Sequence, residues 1–198
     1  MPPANTPTLY TPRLILRRFT PDDLDALLAL FGDEQVNAFL PWFPLRTRQE
    51  AAAFYDERFG QYYARPCAYR YAVCLRETDR PVGYIHADMD EAHDFGYALE
   101  RAHWGQGLIT EAGRALIARL REDGLPFITA THDVNNPRSG AVMRRLGMTY
   151  RYSYEEQWQP KDVRVTFRMY QLNLDGNGAP VFRGYWDRYA VHFVEPGL

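Results

Sequence analysis

Two glycines, Gly105 and Gly107, stand between a short apolar run, Phe95 to Leu99, and the opening of a helical pattern. Strand, glycine-punctuated turn and helix start in that order make a seat for phosphate. Glycine lets the backbone come close to a ligand, and the first helical turn offers unpaired N–H groups and a partial positive charge. A diphosphate, and hence a nucleotide or a coenzyme, is the ligand this implies. A P-loop would need Lys and then Ser or Thr after its last glycine, whereas Leu108 and Ile109 follow Gly107. A dinucleotide fingerprint would need glycine or alanine at position 110, which is Thr110, and an acidic residue ending the next strand. Neither pattern is met.

A second group is Asn135-Asn136-Pro137-Arg138-Ser139, with Gly147 further on. Its local reading is complete by itself: Asn136 caps a helix, Pro137 suits the first helical position, and Gly147 ends it. A third group is acidic. Asp88, Asp90 and Asp94 precede or open the Phe95 strand, and His86 lies just before them. An amine with a pKa of roughly 8 to 10 must lose a proton before or during nucleophilic attack, so such groups are candidate proton acceptors. Asp94 reads equally well as a solvated strand-edge carboxylate, and a His on a strand is more often structural. Trp42 and Phe43, between prolines, could wall an acceptor site or form a packed cover.

The stretch Phe95-Gly-Tyr-Ala-Leu-Glu-Arg-Ala-His-Trp-Gly-Gln-Gly-Leu-Ile-Thr-Glu-Ala112 resembles the acetyl-coenzyme A signature of the GNAT N-acetyltransferase superfamily, Gln/Arg-x-x-Gly-x-Gly/Ala at a strand-to-helix turn. Trp104, Gly105, Gln106, Gly107, Leu108 and Ile109 occupy it, with Trp104 in place of Gln/Arg and Ile109 in place of a small residue. The wording is most similar to the branch of ribosomal-protein N-terminal (Rim-type) acetyltransferases. The Asn136-x-x-Ser139…Leu146-Gly147 string resembles that branch too, with Met148 where Phe is usual. The resemblance implies acetyl-CoA as cosubstrate and no metal. It makes Asn136 a coenzyme contact, Ser139 the proton donor to the leaving thiolate, and Asp94 the first choice of base. It also implies that the strands at 95–99 and 127–131 splay apart. The pantetheine arm would then pair with the free backbone of Tyr97 to Leu99, whose N–H groups would stabilise the oxyanion. Three functions compete: an amine N-acetyltransferase, a coenzyme-binding sensing module without turnover, and another nucleotide-binding enzyme. The last lacks its motif. The acceptor, a protein N-terminus or a small amine, stays open.

The elements that must hold these residues follow from periodicity. Leu14 to Arg18 reads as a strand, and Thr20-Pro21-Asp22-Asp23 opens a helix with Leu24, Leu27, Leu28 and Phe31 on one face. Thr47-Arg-Gln-Glu50 is a capping box for a second helix. Residues 69–75 and 81–87 alternate around Thr78-Asp79-Arg80 and predict a hairpin. A helix from about Gly107 to Glu122, a strand at 127–131, a helix at 137–146 and a long strand at 163–174 complete the order. This predicts an α+β fold, a central mixed, mostly antiparallel sheet of about six to seven strands flanked by helices, with a splayed parallel pair.

Composition sets the limits. At 198 residues, 46% hydrophobic and 24% charged, the chain has globular usage and room for one core. A net charge of −2 gives no electrostatic case for nucleic acid or anionic membrane as partner. No apolar run approaches the roughly 20 residues of a membrane span, and Met-Pro-Pro-Ala-Asn-Thr-Pro has no leader character, so the chain reads as cytoplasmic. Cys67 and Cys74 lack metal-site spacing and read as buried thiols, with a disulfide left open. Residues 1–174 read as the acetyltransferase-like domain and 175–198 as an extension. Phe182, Tyr185, Trp186, Tyr189 and Phe193 make that extension costly to leave in water, so it should pack on its own domain or across a homodimer interface.

Overall fold

The hairpin predicted from alternation is the centre of the molecule. In the computed structural model, which describes residues 4–176 and 178–198, β3 (Tyr69–Leu75) and β4 (Pro81–Ala87) pair antiparallel, and Asp79 takes the left-handed turn position at φ 52°. Met1 to Pro3, part of the leader argument, and Asn177, in the turn predicted at 175–180, lie outside the described residues.

Around the hairpin, β1 (Leu9–Tyr10), β2 (Leu14–Arg17), β3, β4 and β5 (Phe95–Leu99) form an antiparallel sheet in chain order. A second antiparallel sheet holds β6 (Phe127–Asp133), β7 (Thr149–Trp158), β8 (Val163–Asn173) and β9 (His192–Phe193) in the order β6-β8-β7-β9. The sheets meet as a parallel pair, β5 beside β6. Among the described residues that pairing is one bridge, Asp94 opposite Thr129. Thr129 N–H donates to the His93 carbonyl at 3.2 Å and its hydroxyl to the Ala92 carbonyl at 2.8 Å. Beyond this point the strands diverge into a V.

Helices cover both faces. On one side α1 (Leu24–Gly32), α2 (Glu34–Asn37), α3 (Arg48–Tyr55) and α4 (Gln61–Tyr63) pack Leu27, Phe31, Phe54 and Phe59 against Ala72 and Tyr84 of the sheet. Thr47 caps α3 as its sequence requires, accepting from Glu50 N–H at 3.1 Å. A π-helical turn, Asp56–Gly60, joins α3 to α4. On the other side α5 (Leu108–Glu122) lays Leu108, Ala112, Leu116 and Leu120 on Tyr71, Ile85 and Phe95. Its apolar stripe at i, i+4, i+8 and i+12 supplies that core, and Gly124, at φ 80°, follows its end. The short α6 (Pro137–Arg145) follows β6.

The sequence reading omits β7, although Tyr150, Tyr152 and Tyr154 alternate there. A bulge between Tyr150 and Tyr152 breaks the alternation in space: Tyr150 packs toward the main core, whereas Tyr152 and Tyr154 join a separate cluster with Phe167 and Met169 on the opposite face. The final segment, including α7 (Gly184–Arg188), lies on that cluster, and β9 pairs with β7. Phe193, expected to be buried, is exposed on this two-residue edge strand, while Phe182, Tyr185, Trp186 and Tyr189 are half-buried. Cys74 is a buried free thiol and Cys67 a half-buried one. No described helix is long and apolar enough to cross a membrane.

Candidate active site

Gly105 and Gly107 take φ values of 76° and 77°, which only glycine adopts without strain. Gly107 is the N-cap of α5 and offers no side-chain cap, so the first N–H groups of the helix remain available to a ligand. Around Gly105 there is open space. The turn is braced from below. Arg13 donates to the Gln106 carbonyl at 3.0 Å and pairs with Glu111 at 2.6 Å, and Glu111 also accepts from the Thr11 hydroxyl at 2.6 Å and the Arg13 N–H at 2.9 Å. Burial alone would raise the Glu111 carboxyl, but these bonds outweigh it and hold the group low. Glu111 thus locks the β1–β2 turn to the glycine turn. Arg114, Arg138 and Arg145 line the cleft and could meet phosphate charge. Leu108 and Ile109 are buried beneath the turn, and Gln106 bonds back to the Ala102 carbonyl at 3.0 Å.

The register of β5 decides which backbone groups face the gap of the V. Asp94 and Glu100 bond to β4 through Asp88 and Val82, so the odd-numbered residues between them direct their N–H and C=O groups the other way. Tyr97 and Leu99 therefore present backbone to the gap. The Leu99 carbonyl is already taken by the Trp104 indole N–H at 2.7 Å, which leaves the Tyr97 groups and the Leu99 N–H. Trp104, at the signature position where Gln or Arg is usual, thus ties the end of the strand to the turn, and Arg138 stands 5.4 Å above its ring.

Across the gap, Asn136 caps α6 by accepting from Ser139 N–H at 3.3 Å. The Tyr97 hydroxyl lies 3.0 Å from Ser139 Oγ and 2.9 Å from the Ser139 carbonyl. Burial drives the Tyr97 phenol well above its usual range, so it holds its proton. The sequence places Tyr97 here only for its backbone. The hydroxyl pair follows from side-chain alternation on β5, which puts Tyr97 on the α5 face.

The same alternation puts Asp94, Gly96 and Ala98 on the opposite face, toward the aromatic helices. There Asp94, Asp88 and His86 converge: His86 Nε2 is 3.9 Å from a carboxylate oxygen of each. His86 lies opposite Gly96, where a Cβ would stand 2.3 Å from the imidazole, so glycine is what lets the ring lie flat and stack on Tyr84. Burial pushes His86 down to about 3, and nearby Arg70 acts in the same direction, so the ring is neutral at pH 7. Burial, with the charges of Asp88 and Asp90 behind it, pushes Asp94 up to about 7 against the pull of Arg70. Arg70 pairs directly with Asp88. The three ligand-type atoms lie within 4.8 Å of one another, but a guanidinium already holds one carboxylate and balances the charge a divalent ion would use.

One cleft of about 1820 Å³ contains both faces, the glycine turn and the gap. Trp42 lines it, packed edge-on against Phe31 and Phe54. Phe43 does not: it is 61% exposed and outside the lining, because Trp42 alone turns in to fill the space over α1 and α3. From the last segment, Tyr185 and Tyr189 reach the lining, a placement that no local pattern of the chain signals.

Residues 13–149 match the family model of the acetyltransferase (GNAT) domain, so the chain belongs to the GNAT acetyltransferase family, a class of acyl-transferring enzymes. The uncharacterized N-acetyltransferase p20 of Bacillus licheniformis is 30% identical over 114 residues, 56% of this chain and 64% of that protein, so the chain spans slightly less than two thirds of its length. A GNAT-family acetyltransferase from Bacillus anthracis superposes with a TM-score of 0.73 at 21% identity, covering 85% of this chain and 99% of its own. RimL, a ribosomal L7/L12 alpha-N-protein acetyltransferase solved with coenzyme A, gives 0.69 at 19% identity, covering 86% and 100%. At these identities the likeness to the solved structures is one of fold.

Proposed function

We propose that the chain is an N-acetyltransferase that passes an acetyl group from acetyl-CoA to a primary amine by direct attack in a ternary complex. One observation carries this reading: Asp94, which leads into β5, sets a carboxyl poised near neutrality on one face of the strand and Tyr97 a paired hydroxyl donor on the other, at a gap that opens onto an uncapped helix N-terminus. When bound, acetyl-CoA supplies an acyl thioester whose carbon accepts the amine. Gly105, Gly107 and the first turn of α5 hold the diphosphate; the Tyr97 and Leu99 backbone and Asn136 hold the arm. Asp94 takes the ammonium proton, with neutral His86 and Asp88 beside it. As the C–N bond forms, the amine nitrogen gives up its second proton to solvent; as the C–S bond breaks, the Tyr97 and Ser139 hydroxyls supply the thiolate with a proton that solvent then replaces. N–H groups of β5 facing the gap meet the charge that builds on the carbonyl oxygen.

The acceptor is a small amine or a protein N-terminus; the latter draws on what RimL is named for. We read the enzyme as cytoplasmic and independent of metal and nucleic acid. A coenzyme-sensing module of the same fold is the rival reading. Incubation with acetyl-CoA and pooled amines, peptides and lysate, read by mass, should give acetylated amine and free coenzyme A. Tight acetyl-CoA binding with no acceptor raising thiol release above hydrolysis would hand the case to the sensing module.

A further inference from the structure

Helices α1 to α4 cover only the first sheet, and the same side of the second sheet is closed by the end of the chain. Tyr152 donates to the Phe182 carbonyl at 2.9 Å, Gln171 bonds Phe182 N–H at 2.8 Å, and Glu195 pairs with Arg168 at 2.6 Å. So fixed, the segment places Tyr185 and Tyr189 against Tyr154 of β7, with ring centroids 5.1 and 4.8 Å away and planes within 11° and 9° of parallel. All three rings line the cleft opposite Trp42 and Phe54. The charge of Asp94 is felt at both Tyr154 and Tyr185, where it adds to burial in raising the phenols. The candidate base therefore lies between two aromatic walls, one from the helices and one from the C-terminal segment.

Resting on the amine-transfer reading above, we propose that Tyr185 and Tyr189 are the specificity wall of the acceptor site and select an amine carried on a flat apolar body, such as an arylalkylamine. Parallel rings reward a planar group by stacking and apolar burial, the charges at this wall, Glu156 and Arg188, being bonded to the Tyr189 hydroxyl. A polycation would have to place its further charges among aromatics with only Asp88, Asp94 and Glu156 as acids in that part of the lining, two of them beside Arg70 or Arg58.

The test compares phenethylamine with ethylamine and spermidine on the full chain with saturating acetyl-CoA. Phenethylamine should show a kcat/KM at least about tenfold above the other two, a factor set by one good ring contact plus buried apolar area. Tyr185→Leu and Tyr189→Leu keep apolar volume and remove the ring. Each should narrow the preference about tenfold, mainly through KM, and Tyr185→Phe should restore it. Acetyl-CoA affinity by calorimetry within about twofold of the parent separates loss of the wall from collapse of the fold. Equal effects on all three amines, or an unchanged preference, would overturn the proposal and leave amine transfer standing. Bound acetyl-CoA with no amine turned over would overturn amine transfer itself, and this wall with it.

Discussion

Asp94 is the residue at which chemistry and stability oppose each other. Its folded-state pKa, about 7, lies above the ordinary carboxylate value, so the native chain binds this proton more tightly than the unfolded one. Ionising it therefore costs stability as pH rises from the ordinary range through about 7, which is the form a base needs. Asp94→Asn should lower kcat/KM by about a hundredfold and remove the ascending limb near pH 7 from the pH–rate profile. The variant should also melt above the parent at pH 8 by a wider margin than at pH 4, and a margin independent of pH would remove Asp94 as the buried titrating group. The Tyr97 and Ser139 hydroxyls are hydrogen-bonded to each other, so if both serve one thiolate their losses should not add. Ser139→Ala and Tyr97→Phe should each reduce turnover by roughly tenfold, and the double variant by well under a hundredfold, with coenzyme affinity little altered. Full additivity in single-turnover rates would mean separate roles. EDTA should leave turnover intact; loss reversed by a divalent ion would reassign His86, Asp88 and Asp94 as its ligands.

The strand–turn–helix element was legible because its determinants are local. Gly107 needs its left-handed φ, and Val there would be strained and would carry branched bulk toward Arg13. Gly107→Val should weaken acetyl-CoA at least about tenfold in calorimetry, through strain of order 1 to 2 kcal/mol plus lost approach to phosphate. An unchanged affinity would make the turn structural only. The brace beneath it was not legible, since Arg13 and Glu111 are 98 positions apart and nothing local pairs them. Glu111→Gln removes a charge-assisted contact and should raise the acetyl-CoA KM several-fold with kcat nearly kept, the contact being worth about 1.5 to 3 kcal/mol at most. The fate of β7 shows the same divide. Alternating tyrosines were visible, but the bulge after Tyr150 sends them to two faces, and a bulge is set by the partner strand β8. Likewise the convergence of His86 with Asp94 depends on the glycine opposite it in β5, a pairing fixed by hairpin register.

At the scale of the whole molecule, the end of the chain closes the second sheet, so its removal should be felt far from its sequence position. Truncation after Leu174 should lower the melting temperature by several degrees in an unchanged monomer, for the Arg168–Glu195 pair and four half-buried aromatics go with it. Conversion of a dimer to monomer in light scattering would instead give the segment to a subunit interface. The two sheets otherwise join through the core and the Asp94–Thr129 bridge, which is placed like the pivot of a pair of compasses. A pivot moves least when the arms swing. Should the arms swing when coenzyme binds, Tyr97 and Leu99 on β5 would move relative to Ser139 on α6, which follows β6, while Asp94 at the fulcrum would keep its place. Hydrogen exchange should therefore show the Thr129 amide, held by the His93 carbonyl, slow and indifferent to acetyl-CoA, and the amides toward Leu99 and Asp133 slowed by it: a proton acceptor at Asp94 would stay aimed through the whole stroke.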